Sequence, residues 1–197
     1  MKKKTILGIT GGVGAGKSSV LKVFREEFGA RVILADQVAH RLMEPGSPGL
    51  ARVTRALGDS FLQEDGSVDR PKLAELIFHD RKALETMNGI IHPMTWETIK
   101  QEALEAEEDL VVVEAAIFRT APEGLFDAVG YVYTTEENRI RRLMKDRGYT
   151  REKCESIIAE QDSEEEYRKH TDFVIDNNRG EEEIRAQLKG ILEHEIC

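Results

Sequence analysis

Five short runs along the chain are rich in apolar residues: "TILGIT" (5–10), "ARVILAD" (30–36), "DLVVVEAA" (109–116), "AVGYVYTT" (128–135) and "DFVID" (172–176). Most are near-continuous rather than alternating, the pattern of strands covered on both faces. Between them the period changes. Val20, Val23, Phe24 and Phe28 recur at helical spacing ahead of Gly29, a residue suited to close a helix in the left-handed conformation. Ile184, Leu188, Ile191 and Leu192 form a second such stripe near the C-terminus. Strands alternating with helices predict an α/β fold with a mostly parallel five-stranded sheet and helices on both faces.

Two stretches interrupt the alternation. Residues 37–108 hold no strand-like run but do hold helical faces, Leu50 with Val53 and Leu57, then Leu73 with Leu76 and Ile77. Pro71 is placed for a first helical turn, where its missing N–H is not needed. This predicts a helical subdomain inserted between the second and third strands. Residues 136–170 are highly charged and helical, with Ser163 and Glu166 spaced as a capping box. That leaves 1–36, 109–135 and 171–197 as the α/β core, the part expected to bind the ligand.

Composition narrows the class. A chain of 197 residues builds one sizeable core, and 40% hydrophobic with 33% charged residues is ordinary for a globular domain. No segment approaches the roughly 18 apolar residues of a membrane span. The opening "MKKKTILGIT" loses its apolar run at Gly11, short of the roughly 7–15 residues of a signal-peptide core, and reads as a first strand. Cys154 and Cys197 lie far apart without metal-ligand spacing, which predicts free thiols in a reducing cytosol. A net charge of −9 argues against general nucleic-acid binding. An anionic ligand would need positive charge gathered locally.

The charged insertion supplies it, and the stretch "GITGGVGAGKSS" points to such a ligand. Gly11, Gly16, Lys17 and Ser18 satisfy G-x-x-x-x-G-K-[ST] directly after a predicted strand and at the opening of a predicted helix. The glycines let the backbone N–H groups of Gly12, Val13, Gly14, Ala15 and Gly16 turn toward phosphate oxygens, and the helix adds its positive end. Lys17 is placed for the β- and γ-phosphates of ATP, the Ser18 hydroxyl for Mg²⁺, and Ser19 for the α-phosphate. Three classes remain: a phosphotransferase, a GTP switch and an ATP-driven motor or assembly protein. The final strand runs into "DNNRG" (176–180) instead of N-K-x-D, which weighs against the switch. Glu114, at the end of "VVVEA", keeps an ATPase reading open.

A kinase needs a carboxylate facing the acceptor hydroxyl. Asp36 ends the second strand on the side where a parallel sheet presents ligands, and is either that base or the N-cap of "QVAHRLM", or both. Arg139, Arg141, Arg142, Lys145, Arg147, Arg151 and Lys153 crowd one segment around a seam of Ile140, Leu143 and Met144. Most read as solvated, with Glu137–Arg141 an ordinary helical pair, while one or two suit a lid over phosphates. In "IIHPMTW" (90–96), Pro93 is placed to start a helix carrying Trp96 and Ile99, with His92 at its mouth as a cap or an acceptor contact.

Taken together, "LGITGGVGAGKSSV", "VILADQVAHRLMEPGSPGL", "IIHPMTWETI", "RRLMKDRGYT", "IIAEQ" and "DFVIDNN" stand in the order seen in the dephospho-CoA kinase family, which the chain resembles over nearly its whole length. The phosphate loop is common to many nucleotide enzymes; the "AD…EPG.P" and "HP" elements are far more specific. The resemblance implies a P-loop kinase fold of strand order 2-3-1-4-5, a CoA-binding helical domain and a mobile lid. It also implies ATP-dependent phosphorylation of the ribose 3′-hydroxyl of dephospho-CoA, the last step of coenzyme A synthesis. By the same resemblance Asp36 is the acidic catalytic residue, Lys17 and Ser18 contact phosphate and Mg²⁺, and Arg142 is the lid arginine. His92 and Pro93 stand on the acceptor side, and Asn177 where the family closes over adenine. Three features depart from the family pattern: Leu34 replaces an aspartate, Arg119 replaces the glutamate of "PLLFE", and Asp146 and Arg147 stand in exchanged order. The expected partners are ATP and dephospho-CoA, acting on a cytoplasmic monomer with no nucleic acid or membrane. Kinases of other nucleoside, nucleotide or sugar acceptors, and a regulatory or assembly ATPase, are the alternatives.

Overall fold

Strand and helix alternate as the apolar runs predict. In the computed structural model, which describes residues 4–116 and 118–194, the order is β1 (Thr5–Thr10), α1 (Lys17–Phe28), β2 (Arg31–Leu34), α2 (Ala35–Arg41), α3 (Pro48–Leu57), α4 (Arg70–His79) and α5 (Arg81–Glu105). Then follow β3 (Leu110–Glu114), β4 (Ala128–Tyr133), α6 (Glu136–Arg147), α7 (Arg151–Ala159), α8 (Glu164–Lys169), β5 (Phe173–Asp176) and α9 (Glu181–His194). The five strands form one sheet in the order β2-β3-β1-β4-β5, the order that the resemblance implies. β1 runs parallel to β3 with Ile6 opposite Val111, and to β4 with Leu7 opposite Ala128; β4 runs parallel to β5 with Gly130 opposite Phe173. Successive residues Val111, Val112 and Val113 are all fully buried. Neighbours on a strand point to opposite faces, so both faces of the sheet are covered.

The chain divides into two compact units. One runs to Ile33, resumes over Ala103–Arg119 and continues from Glu123; it carries the sheet's central strands, α1 and α6–α9. Leu7, Ile9, Phe24, Val112, Ile175, Ile184 and Leu188 have no exposed surface and fill its core. Both sequence stripes are on buried helix faces. Gly29 ends α1 at φ +62°, donating its N–H to the Phe24 carbonyl. The segment 136–170 folds as α6, α7 and α8 within this unit, where Ser163 Oγ accepts from the Glu166 N–H as the first half of a capping box. Its seam is narrower than expected: Ile140 and Leu143 are buried with Cys154, but Met144 is 44% exposed. Glu137 bonds Arg151 at 2.7 Å, while Arg141 donates to the Asn138 side chain. Arg151 reaches Glu137 from α7 and displaces the local pair. Cys154 is a free buried thiol, and Cys197 lies outside the described residues.

The other unit is Leu34–Glu102 with Thr120–Pro122. Leu50, Val53, Phe61 and Ile91 form its centre, with Leu57, Leu73 and Leu76 packed on it. Ser47 caps α3 and Asp69 caps α4, with Pro71 in the first turn of α4. Trp96 Nε1 donates to Thr120 Oγ1 at 3.0 Å, which ties in the three-residue return. Here the proline reading fails: α5 does not start at Pro93 but runs 25 residues through it, starting where Asp80 Oδ1 accepts from the N–H groups of Lys82 and Ala83. The N–H that Pro93 lacks would have bonded Gly89, and Gly89 is exposed, so its carbonyl stays in reach of water. His92 is thus mid-helix, not at a helix mouth.

Burial makes the energetic expectation specific. Leu188→Ala, which empties a fully buried site in α9, should lower unfolding free energy by about 2–5 kcal/mol in urea titration. Phe78→Ala, at a side chain 83% exposed, should change it by about 0.5 kcal/mol or less.

Candidate active site

The loop between β1 and α1 is shaped by two requirements that act on opposite sides of its backbone. Gly14 and Gly16 adopt φ +75° and +84°, left-handed values that a side chain would resist. A Cβ at Gly16 would collide with the Asn177 and Arg142 side chains. Turning N–H groups inward toward a phosphate leaves carbonyls pointing outward, and each from Gly11 to Gly16 meets a donor. Lys17 Nζ donates to Gly11 O at 2.7 Å, and the Ala15 N–H to Gly12 O at 3.1 Å. Arg139 Nε donates to Val13 O at 2.8 Å, and Arg142 to Gly14 O at 3.4 Å and Ala15 O at 2.8 Å. Asn177 Nδ2 donates to Ala15 O at 2.8 Å and Gly16 O at 3.2 Å.

Asn177 follows β5 directly and is 3% exposed. Its own carbonyl accepts from Arg142 at 2.8 Å, so loop, strand end and α6 meet at one junction. Arg139 and Arg142, three residues apart, share one face of α6. Both guanidinium groups have pKa values pressed below the ordinary arginine value, Arg139 by burial and Arg142 by burial and then by its neighbour Arg141. Lys17 also stands 3.4 Å from Glu114 Oε1 at the end of β3. The Ser18 hydroxyl is exposed in the first turn of α1. Mg²⁺ is held by one or two protein oxygens with the rest from phosphate and water, and these residues fit that demand.

The structure thus gathers Gly12, Val13, Gly14, Ala15, Gly16, Lys17, Arg142 and Asn177, with Ser18 and Ser19 opening α1. Asp36, His92 and Pro93 belong to the other unit. Asp36 is neither strand end nor cap: β2 stops at Leu34, which is itself the N-cap of α2, and Asp36 is an exposed residue in the first helical turn. The extended backbone of Leu34 starts the helix two residues earlier than the capping reading requires. His92 and Pro93 are exposed on α5. Arg119 pairs with Asp162 at 3.2 Å, and Asp146 and Arg147 are exposed in the last turn of α6.

Two residues escaped sequence reasoning. Arg139 was one basic residue among seven, and its only signal is the three-residue spacing to Arg142. Gln161, in "IIAEQ", accepts from the Val13 N–H at 3.0 Å and from Arg139. Nothing local marks it, since the contact needs α7 to return toward the loop.

A parallel sheet of this order, with a glycine loop and lysine between its central strand and first helix, defines the P-loop kinase class. Among solved structures the fold is similar to that of a Thermus thermophilus protein, with TM-score 0.80, 30% identity and 98% of each chain covered. It also resembles a shikimate kinase of Acinetobacter baumannii, with TM-score 0.50 and 16% identity over 98% of this chain and 93% of the other. The sequence model of dephospho-CoA kinase matches residues 5–183. A dephospho-CoA kinase of Carboxydothermus hydrogenoformans is 34% identical over 192 residues, 95% of this chain and 93% of its own. One of Listeria innocua is 36% identical over 194 residues, 96% of each. The chain belongs to the dephospho-CoA kinase family.

The junction yields a test of what holds the loop. Asn177→Ala removes one of two donors from each of the Ala15 and Gly16 carbonyls, which keep Arg142 and the Ser19 N–H, and should lower stability by about 0.5–1.5 kcal/mol in chemical denaturation. Asn177→Asp should lower it further, because a carboxylate cannot donate to either carbonyl and sets a buried negative charge against them.

Proposed function

We propose that the protein catalyses ATP-dependent phosphorylation of dephospho-CoA at the ribose 3′-hydroxyl, giving coenzyme A and ADP in the last step of coenzyme A biosynthesis. The observation that carries this reading is the family match over residues 5–183 in a chain that keeps every residue of the phosphate-loop motif. Phosphoryl transfer has a loose transition state with charge spread over the moving group, so catalysis is mainly positioning and electrostatics. The Gly12–Gly16 loop, through amides other than those of Val13 and Ala15 that bond Gln161 and Gly12 O, and the Lys17 ammonium hold the ATP phosphates, with Ser19 at the α-phosphate and Asn177 on the nucleotide side. The 3′-oxygen attacks the γ-phosphorus, the bond to the leaving ADP oxygen breaks, and the hydroxyl proton passes to the Asp36 carboxylate. Exposure of Asp36 leaves that carboxylate open to an acceptor. Arg142 offers positive charge to the transferred group from the 136–170 lid.

Ser18 would hold Mg²⁺, which when bound draws charge from the β- and γ-phosphate oxygens. His92 and Pro93 serve the acceptor side from the helical unit of 37–108. No helix among the described residues is long and apolar enough to cross a membrane; the reading places the reaction in the cytoplasm, on a monomer.

The direct test is ADP formation from Mg-ATP with and without dephospho-CoA, with the product checked for coenzyme A. Acceptor-dependent turnover to coenzyme A is expected; ATP binding without it overturns the acceptor. Lys17→Ala should lower turnover at least a hundredfold, on the order of 3 kcal/mol of transition-state stabilisation, with its melting curve retained. Asp36→Asn should lower kcat by roughly 10²–10⁴-fold while ATP affinity, read by calorimetry, changes little. An Asp36→Asn enzyme with wild-type kcat overturns the base assignment.

A further inference from the structure

We propose that Arg139 and Gln161 are positioning residues for ATP, clamping the crest of the phosphate loop at Val13 so that its remaining amides are set for phosphate before the nucleotide arrives. The inference rests on the reading that this loop takes ATP. Three hydrogen bonds close a ring. Arg139 Nε donates to the Val13 carbonyl at 2.8 Å, the Val13 N–H donates to Gln161 Oε1 at 3.0 Å, and the Arg139 guanidinium donates to that same Gln161 oxygen. The two ends of the clamp come from different helical elements, Arg139 from the first turn of α6 and Gln161 from the turn that follows α7.

The ring fixes both peptide units that flank Val13, since its N–H belongs to one and its carbonyl to the next. The side chain is held as well: Val13 packs on the buried cluster of Ile140, Leu143 and Cys154 that joins α6 to α7. The same guanidinium lies over Gly12, where a Cβ would strike it. Glycine at 12 therefore admits Arg139 as well as any phosphate. A loop pinned at one crest residue by backbone N–H, backbone carbonyl and side chain loses little freedom when it takes a ligand, and lowering that loss raises affinity. Arg139 is half-buried and directs its bonds to uncharged oxygens, so its positive charge is not cancelled by a bonded carboxylate. Gln161 suits the role because one amide oxygen accepts twice.

Calorimetric titration of the full chain with a non-hydrolysable MgATP analogue tests this without the acceptor. Arg139→Ala and Gln161→Ala should each weaken binding about tenfold, the scale of a lost hydrogen bond to a charged group. The double variant should also sit near tenfold, not a hundredfold, because either change opens the same ring. Arg139→Lys, which keeps the charge and the fold but not the planar fork, should bind as weakly as Arg139→Ala. In turnover assays the loss should fall on KM for ATP more than on kcat. Full recovery with Arg139→Lys, multiplicative losses in the double variant, or binding as tight as wild type in the single variants would each overturn the clamp alone. A wild-type chain that binds no analogue overturns the kinase reading and the clamp together.

Discussion

Every backbone amide that a phosphate loop turns inward sends a carbonyl the other way, and those carbonyls must be satisfied. A carbonyl left without a donor in a buried setting costs about 1–3 kcal/mol, so six of them would rival the stability of a whole domain. The chain meets the demand with Lys17, the Ala15 N–H, Arg139, Arg142 and Asn177. Glycine only permits the curled path; the donors enforce it. Three of them lie more than 120 residues further along the chain. Their convergence requires β4 beside β1, β5 beside β4, and α6 returning over the loop, so the sheet order and the shape of the loop are one constraint seen at two scales.

The same contrast between permission and enforcement explains what the sequence made legible. The strands could be read because residues such as Val111, Val112 and Val113 are apolar in succession, and burial on both faces leaves no other reason for that. The loop could be read because its motif is contiguous. Asn177, Arg139 and Gln161 act on that loop from a distance, and no local pattern separates them from solvated neighbours; Asn177 was placed only by family resemblance, and its bonds to the loop were not. Glu137 has its Arg151 partner for the same reason, a helix that returns. Pro93 misled for a different one. A proline usually marks a first turn, but Asp80 had already capped α5 thirteen residues earlier, and an exposed glycine four residues before the ring absorbs the missing bond.

In the helical unit, polar residues fix where helices begin. Ser47, Asp69 and Asp80 each accept from backbone N–H groups at a helix start, and the apolar centre of Leu50, Val53, Phe61 and Ile91 then holds the helices together. Helix α2 lacks such a cap. It opens on Leu34, with the extended backbone of the strand running straight into the first turn. Leu34 brings no capping side chain to that junction, and Asp36 is the acidic group of the first turn.

The distribution of charge completes the picture of an acidic chain that handles an anion. A net −9 would repel a nucleotide if the charge were spread evenly. Several surface cations are engaged with carboxylates: Arg151 with Glu137 and Glu155, Arg168 with Glu164, Lys22 with Glu181, and Arg185 with Glu27. At the loop the pattern reverses. Arg139 and Arg142 bond peptide carbonyls and amide oxygens, which orient a guanidinium without neutralising it. Burial lowers the pKa of both guanidinium groups, and the neighbouring Arg141 lowers that of Arg142 further. The arginines that hold the loop in shape are therefore also its local positive field, as an anionic ligand there would require.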